Sequence, residues 1–160
     1  MYFSFAYPYL IYGNIIWGSA PASTLWPLFK TKKIIIHIIG NIKRRHSTQN
    51  EFKQLKIIRL PDIFQYSATI FMYKYENNLL PECFRNLFNY NRDFHSHNTR
   101  SQNNIRQPKI KTKIAENFIT NMGPKIWNVL EGKIDKITSL AILKRNLFTF
   151  IMEKYGTNTI

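Results

Sequence analysis

The chain has 160 residues, 44% of them hydrophobic, enough to bury a core, which excludes a wholly disordered polypeptide. Lys and Arg number 23 against nine Asp and Glu, and the resulting charge of +14 favours a polyanionic partner, nucleic acid or an acidic membrane surface, without specifying a fold. A single cysteine, Cys83, excludes an internal disulfide and fits a reducing compartment, and with no CxxC pair and no HExxH helix a structural zinc site would have to be assembled from scattered residues.

Met1 to Phe29 carries no charged side chain and is dense in Tyr, Phe and Ile. Its length suits a membrane span of about 20 residues. Pro8, Gly13, Asn14, Gly18 and Pro21 interrupt it, and buried tyrosine hydroxyls want polar partners, so a buried helix is favoured over a span. No basic residue precedes the apolar part, which argues against a secretory signal. Next, Ala22 to Ile39 reads as a helix stopped at Gly40 and Asn41. The run "IIIHIIG" inside it also fits a buried strand; helix is the reading taken. Ser47 or Thr48 caps a short helix carrying Phe52 and Leu55, and Pro61 suits the first turn of the next. From Asp62 to Tyr75, Ile63, Tyr66, Ile70 and Phe71 recur at about 3.6 residues. A further helix is expected after "NNLLP", opened by Pro81, with Phe84, Leu87 and Phe88 facing inward.

Tyr90 to Pro108 is rich in Asn, Ser, Gln and Arg without apolar periodicity, and reads as a long connection. Within it stands "HSHNTRSQNN". His95 and His97 share one face of an extended segment, but Asp93 is the nearest carboxylate and two more ligands are wanting, so a metal site is not the reading taken. His97, Asn98 and Thr99 suit backbone bonding in a turn, and Arg100 is the best placed to fork two donors onto a phosphate. Helix signals return at Lys113 to Asn121, at "GPKIWNVL" with Pro124 in a first turn and Trp127 as a core anchor, and at Ser139 to Tyr155. That last helix is capped by Ser139, stopped by Gly156 and lined by Leu140, Leu143, Leu147, Phe150 and Ile151.

Five strings occur in order along the chain: "YPYLIYGNIIWGSA", "NNLLPECF", "HSHNTR", "GPKIWN" and "LAILKRNLFTFI". Together they resemble the C-terminal region of non-LTR retrotransposon reverse transcriptases of the jockey kind, downstream of the polymerase palm. The resemblance implies a helical thumb and tail that help to hold primer and template, in an RNA-directed DNA polymerase whose palm uses Mg2+. It also implies an intracellular protein, nuclear or cytoplasmic. The stretch "NVLEGKID" departs from the family pattern, in which a Leu-Pro commonly follows the tryptophan. The aromatic-x-Asp-Asp palm motif is absent: Asp62, Asp93 and Asp135 are the chain's aspartates and no two are adjacent, whereas two-metal nucleotidyl transfer needs carboxylates that seat both ions. The start at Met1, inside a family helix, fits a truncated copy. No polymerase activity and no cofactor are expected of this chain.

The expectation is therefore a mainly α fold, an irregular helical bundle in two layers with a long basic connecting loop. A thumb-like region spans 1–89, a polar connection 90–112 and a helical tail 113–160. Its expected partners are RNA and DNA as primer–template, and the upstream palm and fingers. The expected phosphate contacts are Lys30, Lys32, Lys33, Lys43, Arg44 and Arg45 in one basic run and Arg92, Arg100, Arg106, Lys109 and Lys111 in another. Tyr90 and Phe94 either stack on unpaired bases or pin the loop to the core. Two alternatives stand beside this: a basic membrane-anchored protein, and a non-functional relic.

Overall fold

A computed structural model describes residues 1–43, 45–94, 99–134 and 139–157. Among these residues the fold is mainly helical: α1 Tyr7–Ile11, α2 Asn14–Trp17, α3 Ala22–Ile39, α4 Gln49–Gln54, α5 Leu60–Glu76, α6 Ile119–Ile134 and α7 Leu140–Thr157. The β pairing seen among them is a single antiparallel bridge, Tyr90 to Ile105. Two compact units form, Met1–Tyr66 with Lys144–Ile160, and Ser67–Leu143. The boundaries fall inside α5 and α7, so the division at 89 and 112 is not the one packing makes. Its cue was a shift in composition, whereas burial links the ends of the chain: Ile151 and Tyr155 share a core with Leu10, Ile36 and Ile63.

In the first unit the apolar N-terminal stretch is not one helix. A π-helical turn, Tyr2–Ala6, runs into α1, and Gly13, at φ 59°, breaks the chain before α2 in a left-handed conformation that glycine adopts without strain. Nor is it buried throughout. Tyr2, Leu10 and Asn14 are interior, while Phe5, Tyr9, Tyr12 and Ile16 are exposed by 71 to 85%. The Tyr2 hydroxyl, for which a polar partner was expected, has none among the described residues, and the buried side chains of Asn14 and His37 share that condition. Among the described residues no helix is long and apolar enough to cross a membrane.

The helix over "IIIHIIG" is observed, with Leu25, Lys32, Ile36 and His37 inward. Its stop falls at the expected pair: Gly40 keeps right-handed helical angles and Asn41, at φ 49°, makes the left-handed turn. Thr48 precedes α4 without a side-chain cap, and the Ser47 hydroxyl instead accepts the Gln49 N–H at 3.4 Å. In α7 the inward stripe is Leu143, Leu147, Ile151 and Tyr155, one residue every four. Phe150, expected inside, is half exposed, and the helix continues past Gly156 to Thr157. The Ser139 cap is observed, its hydroxyl accepting the Ala141 N–H at 3.3 Å.

The Tyr155 side chain ties this stripe to the start of α5. Its hydroxyl donates to Asp62 Oδ2 at 2.5 Å and accepts the Arg59 N–H at 2.8 Å, while the Arg59 guanidinium lies 4.2 Å from the ring centroid. Burial, then the bond to Asp62, holds this phenol above its ordinary pKa.

In the second unit the helix expected after Pro81 shrinks to one 3-10 turn, Glu82–Phe84. The Tyr75 hydroxyl competes with it: its one proton lies within reach of the carbonyls of Arg85 (3.1 Å) and Phe88 (3.0 Å), and its oxygen accepts the Phe88 N–H (3.3 Å), groups that a continuing helix would have used in its own ladder. The 113–121 helix is likewise a 3-10 turn, Ala115–Asn117, followed directly by α6. Pro124 therefore sits inside α6 rather than in its first turn. Its neighbour Gly123 permits the close packing: a Cβ there would lie 2.6 Å from the sulfur of buried Met72 on α5. Trp127, 5% exposed, is the core anchor its helix face implied.

Candidate nucleic-acid interface

Two basic runs stand out in the sequence, and they belong to different units. In the first unit Lys30, Lys33, Lys43 and Arg45 are exposed. Lys30 lies over the Trp26 ring at 5.6 Å. Arg44 lies outside the described residues. Lys32 does not belong to this surface: it is 2% exposed, lies 5.8 Å from the centroids of both Tyr2 and Phe52, and its ammonium donates to the Ile58 carbonyl. Burial lowers its pKa to about 7, with Asp62 pulling weakly the other way. Lys32 falls on the same stripe of α3 as Leu25, Leu28 and Ile36. A reading by charge alone puts it outside; the 3.6-residue period, applied to the cations as well as the apolar residues, puts it inside.

The second run sits on a loop that the structure closes. Asn91 and Arg92 donate their N–H groups to the carbonyls of Asn104 (3.1 Å) and Gln102 (3.0 Å), and the Arg106 N–H reaches Asn89 at 2.8 Å, so residues 89–92 run antiparallel to 102–106. Side chains lock the closure. Asp93 accepts the Tyr90 N–H at 2.8 Å, Asn91 donates its amide to the Ser101 carbonyl at 2.9 Å, and the Tyr90 hydroxyl reaches both Glu76 oxygens at 3.0 Å. Burial raises the pKa of Glu76, partly offset by Tyr90 and Arg92, and burial together with Glu76 raises that of Tyr90.

At the base of the loop Ile105 is buried, and the side-chain amide of Asn128 meets both of its backbone groups: Oδ1 accepts the Ile105 N–H at 3.2 Å and Nδ2 donates to its carbonyl at 2.9 Å. Asn128 acts here as a one-residue strand. The "GPKIWN" stretch thus has internal roles at three positions: Gly123 admits Met72, Trp127 fills the core and Asn128 holds the loop, while Lys125 is exposed. Nothing in the sequence alone paired Asn128 with Ile105; the available cue was an apolar residue isolated in a polar stretch.

This frame holds the cations in three ways. Arg92 is exposed and lies over the Tyr90 ring at 4.5 Å. Arg106 is half-buried over the Phe94 ring at 3.7 Å. Arg100, Lys109 and Lys111 are exposed, and among the described residues none of the three forms an ion pair. Thr99 contributes a turn through its carbonyl, which accepts the Gln102 N–H at 3.1 Å, whereas His95, His97 and Asn98 lie outside the described residues. Of the two aromatics, Tyr90 is a pin, held at its hydroxyl and covered by arginine. Phe94 is 55% exposed.

Among the described residues no group of three His, Cys, Asp or Glu side chains is placed to hold a metal ion. Asp62 is engaged by Tyr155 and Asp93 by the Tyr90 backbone, each in its own unit. In comparisons with family models, with curated proteins and with solved structures, nothing matches this chain.

Proposed function

We propose that the chain binds nucleic acid through its phosphates without reading sequence, as the thumb-and-tail portion of a retrotransposon reverse transcriptase that lacks the catalytic palm, and that it does not itself extend a primer. The observation that carries this reading is the loop 89–106: its two ends are paired and pinned at Tyr90 and Ile105, and exposed Arg100 stands on it with Lys109 and Lys111 following. Cations on a held scaffold lose little side-chain and backbone freedom when they meet a polyanion. Lys and Arg contacts to phosphate release condensed counterions, so affinity falls steeply as salt rises.

The exposed apolar side chains of the N-terminal stretch support the same reading. Phe5, Tyr9 and Ile38 border a groove of about 430 Å³ whose floor includes Tyr2, Ala6 and Leu10, in the first unit. Its walls are aromatic and aliphatic, the character of a surface that another protein segment covers. An upstream palm and fingers would be that segment.

The test is fluorescence anisotropy of the purified chain with an RNA–DNA primer–template. Micromolar binding that weakens by orders of magnitude between about 50 and 200 mM salt is the expected result. A primer-extension assay on the same sample should show no incorporation, and a template-dependent product from this chain free of other polymerases would contradict the reading.

A further inference from the structure

Beside the pinned loop, within the second unit, is a hollow of about 430 Å³ lined by Leu87, Phe88, Phe94, Arg106, Lys109 and Thr120, together with Asn89 and Pro108. Its size falls within the range of about 300–1,000 Å³ typical of small-ligand sites. Its walls combine an exposed phenyl ring, flat aliphatic surface, two cations and two neutral polar side chains, with no carboxylate. The guanidinium of Arg106 is stacked on Phe94, and among the described residues its buried Nη1 has no hydrogen-bond partner. Arg106 is only half-buried and Lys109 is exposed, so the hollow offers two cations to an anionic acceptor. Another hollow of the second unit, of about 370 Å³, is lined by two carboxylates, Glu76 and Glu82, and by Arg85, which is paired with Glu82, and is less suited to such a group.

We infer that the hollow beside Phe94 seats one unpaired nucleobase of a bound strand, stacked on the Phe94–Arg106 pair, with Arg106 and Lys109 meeting the adjoining phosphate. A base is flat, has a π-face whatever its identity, and always carries a phosphate one sugar away, which matches an aromatic and guanidinium platform set beside a free lysine. Asn89 and Thr120 offer both donors and acceptors, so no single base is selected. The inference rests on the proposed nucleic-acid binding and deepens it: the preferred ligand is a duplex with a single-stranded extension rather than a blunt one.

Three labelled probes separate the possibilities: a blunt duplex, the same duplex with a short single-stranded overhang, and that duplex with an abasic overhang of equal charge. The chain should bind the base-bearing overhang about tenfold more tightly than the abasic one. Phe94→Ala should abolish that difference and Phe94→Trp should keep it; since Phe94 is more than half exposed, both variants should retain the circular dichroism of the parent. Equal affinity for base-bearing and abasic overhangs would overturn the base site while leaving phosphate binding standing. A difference that survives Phe94→Ala would move the site elsewhere and equally overturn it. Failure to bind any of the three at low salt would remove the proposed function itself.

Discussion

The side-chain amide of Asn128 closes on both backbone groups of Ile105, at 3.2 and 2.9 Å, across 23 residues of sequence. Two backbone groups beside a buried side chain are thereby satisfied, and the basic loop inherits the rigidity of α6. Asn128→Ala leaves both without this partner and should destabilise the chain by about 1–3 kcal/mol. Asn128→Asp keeps an acceptor for the N–H and sets a carboxylate against the Ile105 carbonyl, so it should not restore the loss. Urea unfolding gives the stability, and hydrogen exchange at Asn91, Arg92 and Arg106 should quicken in both variants, since these amides close the loop.

Gly123 and Met72 form a second such pair. Gly123→Ala improves helix propensity by about 1 kcal/mol, yet it puts a methyl group 2.6 Å from the Met72 sulfur in a fully buried contact. Overpacking of that kind costs about 1–3 kcal/mol, so net destabilisation is expected. Thermal unfolding of the single variants and of Gly123→Ala with Met72→Val makes a double-mutant cycle. The double variant should be more stable than the sum of the two changes, and simple additivity would show that the two side chains do not meet.

Lys32 makes stability depend on pH. Its pKa is about 7 in the folded chain against 10.5 in an exposed lysine, so between those values the unfolded chain binds the extra proton and stability rises with pH. Below about pH 7 both states carry the charge and the burial penalty is complete. Lys32→Met keeps an apolar stem but leaves the Ile58 carbonyl without its donor. The variant should be the more stable of the two at pH 6, by up to a few kcal/mol, and should lose that advantage by about pH 10. Tyr2 and Tyr155 act in the opposite sense: their pKa values are raised, so what they contribute holds below about pH 10 and is lost above it. Chemical denaturation at pH values from 6 to about 9.5 isolates the lysine. A difference between wild type and Lys32→Met that does not change with pH would show that burial does not lower the pKa of this side chain.

The helical character was legible because long periodic segments carry their own punctuation: Ala22 to Ile39 is bounded by Pro21 and by the turn at Asn41, and Ser139 caps α7. What failed did so through particular side chains. Tyr75 takes the backbone groups of residues 85 and 88, so the helix predicted from Phe84, Leu87 and Phe88 does not form. Charge alone places Lys32 on the surface, because it ignores position on the helix. Apolarity alone predicts a buried N-terminal stretch, but it does not say whether a face has found its partner. Of the candidate interface, the cations were visible in composition, whereas the scaffold that orders them depends on pairings 14 to 23 residues apart, Glu76 with Tyr90 and Ile105 with Asn128, which no local pattern announces.

The proposed grip of the pinned loop on phosphate is read from the slope of log affinity against log salt, with a primer–template and the full chain. Each phosphate contact contributes about 0.7–0.9 to the slope, so replacing Arg100, Lys109 and Lys111 together by Gln should lower its magnitude by roughly 2–3 without altering the unfolding midpoint, these side chains being exposed. A triple variant that keeps the wild-type slope, or a wild-type affinity indifferent to salt, would show that these side chains do not grip phosphate.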